Sequence, residues 1–555
     1  MSFIQDLVRN TWYTLANPLR RLRRGGMDYV QLWLTGSFPE RRAKERLPFP
    51  WSLLPWAAAG MSLETLNEQL ERLVADPRVR GAILMLDGLA ADLTTIRSLR
   101  EAVRRFHAKG KRTVAYLTSV TTGRLYMASA AGEIALPESA TLPTAGLRLE
   151  VTFVKETLNR MGIEVDIEAL GEYKTSPDRF CRSAMSEPHR EMANAILDDQ
   201  YAEIVSAIAG GRGLAEDAVR RAVDDAPLTA QEMVARGLAD VLVYEDQLAA
   251  HLGTPERPAA LATWREVRRR LVRPRRRQAR RSIGIVSVEG TIVPGPSRRL
   301  PSPLPIPYFE EQAGAETVIQ ALRQAERDNR VAAVVLHVDS PGGSALAADL
   351  IWREVLRLRQ RKPVVVYMGS MAASGGYYIS APASYIVAQA TTLTGSIGIW
   401  GGKVVTAGLY EKWGARREVL QRGEMAGLYS DIAPFTKAGR QRFCRLLEAS
   451  YARFKARVAE GRGIERDRVE EVARGRVWTG RQALERGLID EVGDLWAAVE
   501  KAKQIAALDM QRYVPVVTLR AGRRHLLPLP FEKGPLLGDG ILALVPWQMR
   551  VVGSG

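Results

Sequence analysis

Ser374 lies in Met371-Ala372-Ala373-Ser374-Gly375-Gly376, between an apolar run and a segment of helical character. A hydroxyl at the start of a helix can serve as a simple N-cap that satisfies an orphan N–H. It can also serve as a nucleophile. The helix N-terminus stabilises negative charge developing beside it, and the flanking small residues let another backbone approach. A serine attacks only when a base removes its proton. The candidate base is Lys174, in Gly171-Glu172-Tyr173-Lys174-Thr175-Ser176. An isolated lysine is ordinarily a solvated surface charge. To act as a base it must be neutral. Burial lowers its pKa from a reference of about 10.4, and reaching about 7 takes roughly 4.6 kcal/mol of differential desolvation. Lys174 is therefore expected in an apolar setting.

Asp339-Ser340-Pro341-Gly342-Gly343-Ser344 ends one apolar strand and opens a helix. Paired glycines there let backbone N–H groups converge on an anion. Gly342, Gly343 and the N–H of Gly375 are thus candidates for an oxyanion hole, and an ordinary glycine turn is the alternative. Thr394-Gly395-Ser396-Ile397-Gly398 reads either as a tight turn or as the place where Ser396 holds the lysine amine. His337 is the one histidine near these motifs, on a buried strand, where a packed core residue is the ordinary reading. Neither HExxH, CxxC nor GxxxxGK[ST] occurs, so no metal or cofactor is expected.

What joins a serine to a lysine so far away in sequence is a repeat. Residues 64–87, ETLNEQLERLVADPRVRGAILMLD, match residues 316–339, ETVIQALRQAERDNRVAAVVLHVD. Asp76 falls on Asp328, Arg78 on Arg330 and Asp87 on Asp339, and the register persists through Tyr126/Tyr378, Gly146/Gly398 and Gly171/Gly423. Farther on, Arg236-Gly237-Leu238 answers Arg486-Gly487-Leu488. A register held over that distance marks a duplicated unit. The two copies differ where the chemistry lies. Thr122 stands at the register of Ser374, Ala426 at that of Lys174, and Asp87-Gly88-Leu89 lacks the doubled glycine. Complementary losses of this kind are what one composite site, drawing on both copies, leaves behind.

Each copy alternates amphipathic helices with β-branched apolar runs such as VAAVVLHVD and PVVVYM. That pattern predicts an α/β fold with largely parallel sheets and crossover helices. The expected organisation is an N-terminal amphipathic segment (1–60), a first repeat carrying Lys174 (61–250), an Arg-rich linker (251–281), a second repeat carrying Ser374 (282–510) and a C-terminal tail (511–555). At 46% hydrophobic and 25% charged residues the composition is globular. The net charge of +17 gathers in Arg20, Arg21, Arg23 and Arg24 and in ten arginines between Arg265 and Arg281. Such placement points to an anionic surface, with a solvated linker or a nucleic-acid patch as the alternatives. Phe3, Ile4, Leu7, Val8, Trp12 and Leu15 share one helical face. Patches at Tyr29, Leu32, Trp33 and Leu34 and at Trp51, Leu53, Leu54 and Trp56 follow. They read as an interfacial membrane anchor or as a helix packed on the protein's own body. No apolar run of membrane-spanning length and no secretory signal is recognisable. Cys181 and Cys444 are too few for a disulfide framework or a zinc site.

The segments Asp339–Ser344, Met371–Gly376, Leu393–Gly398 and Val477-Trp478-Thr479-Gly480, with Gly171-x-Tyr173-Lys174, resemble the bacterial signal peptide peptidase A family in its long two-repeat form. The resemblance covers about residues 60–505, with each motif in its proper copy. It implies two tandem Clp protease/crotonase-like repeats, and a serine endopeptidase with Ser374 as nucleophile and Lys174 as base. It also implies oxyanion donors at Gly342, Gly343 and Gly375, with Ser396 as lysine partner. The expected substrates are signal-peptide remnants, bound extended in shallow pockets for Ala- or Leu-like side chains. A membrane-associated homotetramer is implied, without nucleic acid, and a cytoplasmic location is the alternative. Two departures stand out: the family's N-terminal transmembrane helix is not recognisable, and the tail beyond about residue 510 has no assigned counterpart. Rival readings are an acyl-CoA hydratase or carboxyltransferase on the same superfold, and a non-catalytic membrane scaffold.

Overall fold

A computed structural model describes residues 10–18, 20, 26–41, 61–274, 276–299 and 311–520, and two short strands, Ile541–Ala543 and Arg550–Val551. The chain divides into two compact units. One comprises Met1–Leu149, Asp198–Arg280 and Met549–Gly555, and the other Glu150–Leu197 and Arg281–Gln548. This partition differs from the sequence repeat: residues 150–197, including Lys174, pack with the second copy.

In the first unit six strands form a parallel sheet in the order Leu261–Thr263, Tyr29–Trp33, Gly81–Met85, Arg112–Tyr116, Glu133–Leu136, Val241–Leu242. Helix Leu63–Val74 is capped by Ser62 and buries Leu66, Leu70 and Leu73; helix Leu93–His107 is capped by Asp92 and buries Ile96, Leu99, Val103 and Phe106. That helical periodicity fixes which face meets the sheet. Tyr29, Leu32 and Leu34 are core residues and Trp33 is 42% exposed, so three of the four residues of this patch belong to a buried parallel strand and its end and not to an interfacial anchor. Backbone pairing on both sides accounts for the difference. Trp12 and Leu15 keep an exposed position, on a helix tied down by Asn10 and Asn17 donating to the carbonyls of Arg276 and Arg273. The other anchor residues, Phe3 to Val8 and Trp51 to Trp56, lie outside the described residues. The arginine-rich stretch contributes the Leu261–Thr263 strand and buries Leu271 and Val272.

The second unit is built on an eight-stranded, largely parallel sheet whose centre is Ser282–Glu289, Val331–Ser340 and Val364–Ala373. The two strands last named are almost wholly buried, as continuous valine-rich runs in a doubly covered sheet should be. A second sheet of seven strands includes Gly343–Ser344, Ile399–Val405 and Glu164–Leu170. The duplication recurs in local detail. Arg78 folds back on Asp76 through its backbone N–H and guanidinium, and Arg330 does the same on Asp328. Arg212 joins Gly237 O and Asp240 as Arg462 joins Gly487 O and Asp490. Among the described residues no helix is long and apolar enough to cross a membrane.

Candidate active site

Strand Val364–Ala373 runs straight into Ser374, and helix Gly375–Ser380 begins at the next residue. Ser374 adopts φ 54 and ψ −115, a conformation that L-residues avoid, and its side chain does not cap the helix. A sharp strand-to-helix turn held by Ser374 N–H donating to Gly395 O at 2.8 Å sustains this strain. The N-cap alternative for Ser374 is thereby set aside: the hydroxyl is directed elsewhere.

It meets Lys174. The Lys174 Nζ lies 2.9 Å from Ser374 Oγ, 2.8 Å from Ser396 Oγ and 3.0 Å from the Ser396 carbonyl oxygen. Ser374, Lys174 and Ser396 are all buried. Burial, with no carboxylate beside the amine to oppose it, pulls the Lys174 pKa from 10.5 down to about 7. Near neutrality a large fraction of the amine is therefore uncharged. A neutral amine has two N–H donors and one lone pair. The two donors match the two Ser396 oxygens, which leaves the lone pair for the proton of Ser374.

Three glycines that the sequence reading did not single out for this role bring Lys174 there. Antiparallel pairing of Glu164–Leu170 with Ile399–Val405 sets Leu170 opposite Ile399, directly after the Ser396 turn. Gly171, at φ +102, then packs on the Arg474 backbone, and Tyr173 N–H donates to Arg474 O. Gly475, at φ +79, lies so close to Lys174 that a Cβ on it would stand 2.5 Å from the lysine Cβ. Gly398 in turn packs on Gly475 Cα. Only glycines permit this stacking of backbone on backbone. The available signal was Gly475's place just before Val477-Trp478-Thr479-Gly480, but the residue it accommodates is some three hundred positions away.

The glycine turn lies beside the serine. A Cβ on Gly375 would be 3.2 Å from Gly342 Cα and 3.3 Å from Gly343 N. Gly342 and Gly343 both hold positive φ, 105 and 152. Gly342 N–H is engaged by Ser340 Oγ at 3.2 Å. The N–H of Gly375, first in its helix, has no intrahelical acceptor. His337 is not part of this cluster: its buried ring stacks on Tyr367 and lies 3.5 Å from Glu289. No group of residues among those described could hold a metal ion, and both cysteines are free. A buried serine touching a half-neutral lysine, with backbone N–H groups near by, is equipped for acyl transfer.

Compared with known proteins, residues 105–256 and 357–509 match the family described as peptidase family S49. The chain is 31% identical over 527 residues to the serine protease SPPA, chloroplastic, of Arabidopsis thaliana, covering 92% of this chain and 75% of that protein. It is 33% identical over 449 residues to Protease 4 of Haemophilus influenzae, covering 78% of this chain and 71% of that protein. A protein of Enterococcus faecium whose name includes "signal peptide peptidase SppA" is 30% identical over 210 residues, covering 37% of this chain and 61% of that protein.

Proposed function

The chain belongs to peptidase family S49, and we propose that it is a serine endopeptidase of cleaved signal peptides and other short membrane-released peptides, with Ser374 as nucleophile and Lys174 as base. The observation that carries this reading is the 2.9 Å contact between Lys174 Nζ and Ser374 Oγ in a buried setting that depresses the lysine pKa to about 7. The signal-peptide substrate rests on the name of the Enterococcus relative.

Neutral Lys174 takes the Ser374 proton as Oγ attacks the scissile carbonyl carbon. The resulting oxyanion is held by the N–H of Gly375 and of Gly343, whose nitrogen would stand 3.3 Å from a Cβ on Gly375, while the Gly342 N–H stays engaged by Ser340 Oγ and shapes the turn. Collapse breaks the C–N bond, and the Lys174 ammonium returns its proton to the leaving amine, which leaves an acyl-serine. Water then repeats the sequence with the same lysine as base, releasing the acid and restoring Ser374. Ser396 orients the amine throughout through its two oxygens.

Association with an anionic membrane surface is supported by exposed Trp12 and Leu15 on a helix whose Tyr13 ring stacks with Arg20 and Arg273. Self-association as a homotetramer rests on the family resemblance. The test of the reaction is hydrolysis of a fluorogenic signal-peptide mimic. The wild type is expected to cleave it, and Ser374→Ala and Lys174→Ala to lose activity by about 10²-fold or more. Undiminished cleavage by either variant would refute the assignment.

A further inference from the structure

Tyr378 stands opposite Tyr126 in the repeat, so both copies keep this tyrosine. It lies on helix Gly375–Ser380, and its N–H donates to Ser374 O at 2.8 Å. The ring is buried, edge to face with Trp352 at 6.5 Å and against Phe454 at 4.9 Å. Its hydroxyl donates to Asp349 Oδ1 at 2.6 Å. Asp349 belongs to helix Ala345–Arg359, which Ser344 caps directly after the Gly342–Gly343 turn. The bond thus ties the helix opened by Gly375 to the helix that follows Gly343. Arg457, on helix Lys437–Arg462, lies 4.0 Å from Asp349 and stacks over the Trp352 ring at 3.6 Å, bracing the carboxylate from a third helix.

The first copy satisfies its tyrosine differently. Tyr126 donates to Glu203 Oε1 at 3.1 Å, and Arg97 donates to the same oxygen at 3.0 Å. Arg97 stands at the register of Asp349, and Arg100, which stacks over the Tyr126 ring at 4.2 Å, at that of Trp352. Glu203 comes from helix Glu187–Arg212. That helix matches Lys437–Arg462, Tyr201 on Tyr451 and Arg212 on Arg462, which puts Arg453 at the place of Glu203. A buried phenol needs an acceptor in either copy, but that need does not decide which helix supplies it. In the copy without the doubled glycine the acceptor comes from the long helix. In the copy with it, the acceptor comes from the helix that the glycine turn opens.

We infer that the Tyr378–Asp349 hydrogen bond is a strut that sets the spacing of the Gly343 and Gly375 N–H groups, which makes Tyr378 and Asp349 positioning residues for peptide hydrolysis. The inference deepens the proposed function and rests on its oxyanion assignment. A Cβ on Gly375 would stand 3.2 Å from Gly342 Cα and 3.3 Å from Gly343 N, so the two backbones are packed together and a small rotation of either helix shifts one donor against the other. Donors of this kind act by being in place before the charge develops. Burial, and after it the bond to Asp349, push the Tyr378 pKa up, so the phenol keeps its proton and donates throughout the working pH range.

Tyr378→Phe and Tyr126→Phe in the full chain test this, since each deletes one hydroxyl and one buried hydrogen bond, one in each copy. Both variants should melt about 2–4 °C below the wild type. Only Tyr378→Phe should lose hydrolysis of the fluorogenic signal-peptide mimic. The expected loss is about 10-fold in kcat, short of the roughly 10²- to 10³-fold that deleting an oxyanion donor costs. KM and the pH midpoint near 7 should not move. Asp349→Ala should match Tyr378→Phe, the double variant should be no worse than either single, and Asp349→Asn, which keeps an acceptor oxygen, should recover most of the kcat. An undiminished kcat in Tyr378→Phe, an equal loss in Tyr126→Phe, or losses that multiply in the double variant would overturn the strut. Should Asp349→Ala fail to fold, the comparison of the two tyrosine variants decides alone. Fluorophosphonate labelling of Ser374 on the same samples keeps the two claims apart. A wild type that neither labels nor cleaves overturns the peptidase reading and the strut with it; a wild type that does both, beside an unimpaired Tyr378→Phe, overturns the strut alone.

Discussion

Replacing Lys174 by Met should stabilise the protein more at pH 7 than at pH 9. Lys174 is buried, and its folded pKa is about 7 against 10.5 for the free group. Between those values the unfolded chain binds more protons than the folded one, so stability rises with pH through the window and falls as pH drops. Linkage with these two values gives a destabilisation of about 2 kcal/mol at pH 9, about 4 kcal/mol at pH 7 and about 5 kcal/mol once the pH is well below 7. Met keeps the volume and carries no charge. It loses the contacts to Ser374 and Ser396, each about 1 kcal/mol, a loss that varies little with pH. The readout is the difference in unfolding free energy between wild type and Lys174→Met, from denaturant titrations at pH 6, 7, 8 and 9. The account expects that difference to shift in favour of Met by about 2 kcal/mol from pH 9 to pH 7 and to flatten below pH 6. Curves that stay parallel across the range would refute a lysine held neutral by burial.

Ser396→Ala removes the 2.8 Å contact to the amine and keeps the 3.0 Å contact to the carbonyl. Peptide hydrolysis should fall roughly 5- to 10-fold, the equivalent of about 1 kcal/mol, in kcat and not in KM; an unchanged kcat would remove Ser396 from the site. Gly475→Ala places a methyl 2.5 Å from the Lys174 Cβ at a φ of +79. It should destabilise by about 1–3 kcal/mol and reduce Ser374 labelling, whereas normal labelling would show that the lysine tolerates the displacement. The rate of hydrolysis should rise with pH to a plateau with a midpoint near 7, the value to which burial pulls the Lys174 amine; a rate independent of pH from 5 to 9 would exclude the amine as base.

The duplication was legible because the same local bonds are encoded twice. Asp76-x-Arg78 and Asp328-x-Arg330 make matching contacts, and the helices and valine-rich strands around them follow from periodicity alone. Ser374 and Lys174 stood out because each occurs in one copy and is lost from the other, and the structure brings them within hydrogen-bond distance. The partition of the chain was not legible. Nothing in the sequence pattern names Ile399–Val405 as the partner of Glu164–Leu170, the pairing that draws residues 150–197 into the second unit. The Tyr29–Leu34 patch misled for a related reason: a short aromatic and apolar run looks alike at a membrane surface and in a buried parallel strand. Gly475 escaped notice because what requires a glycine there is the Lys174 backbone, which sequence distance conceals.

The most direct test of the Ser374–Lys174 pair is the rate at which a fluorophosphonate modifies Ser374, followed by mass spectrometry against pH in wild type and Lys174→Ala. The account predicts a single adduct on Ser374 in the wild type, forming faster as the pH rises through about 7, and almost none in Lys174→Ala. Equal labelling of the two proteins, or an adduct on another residue, would contradict it.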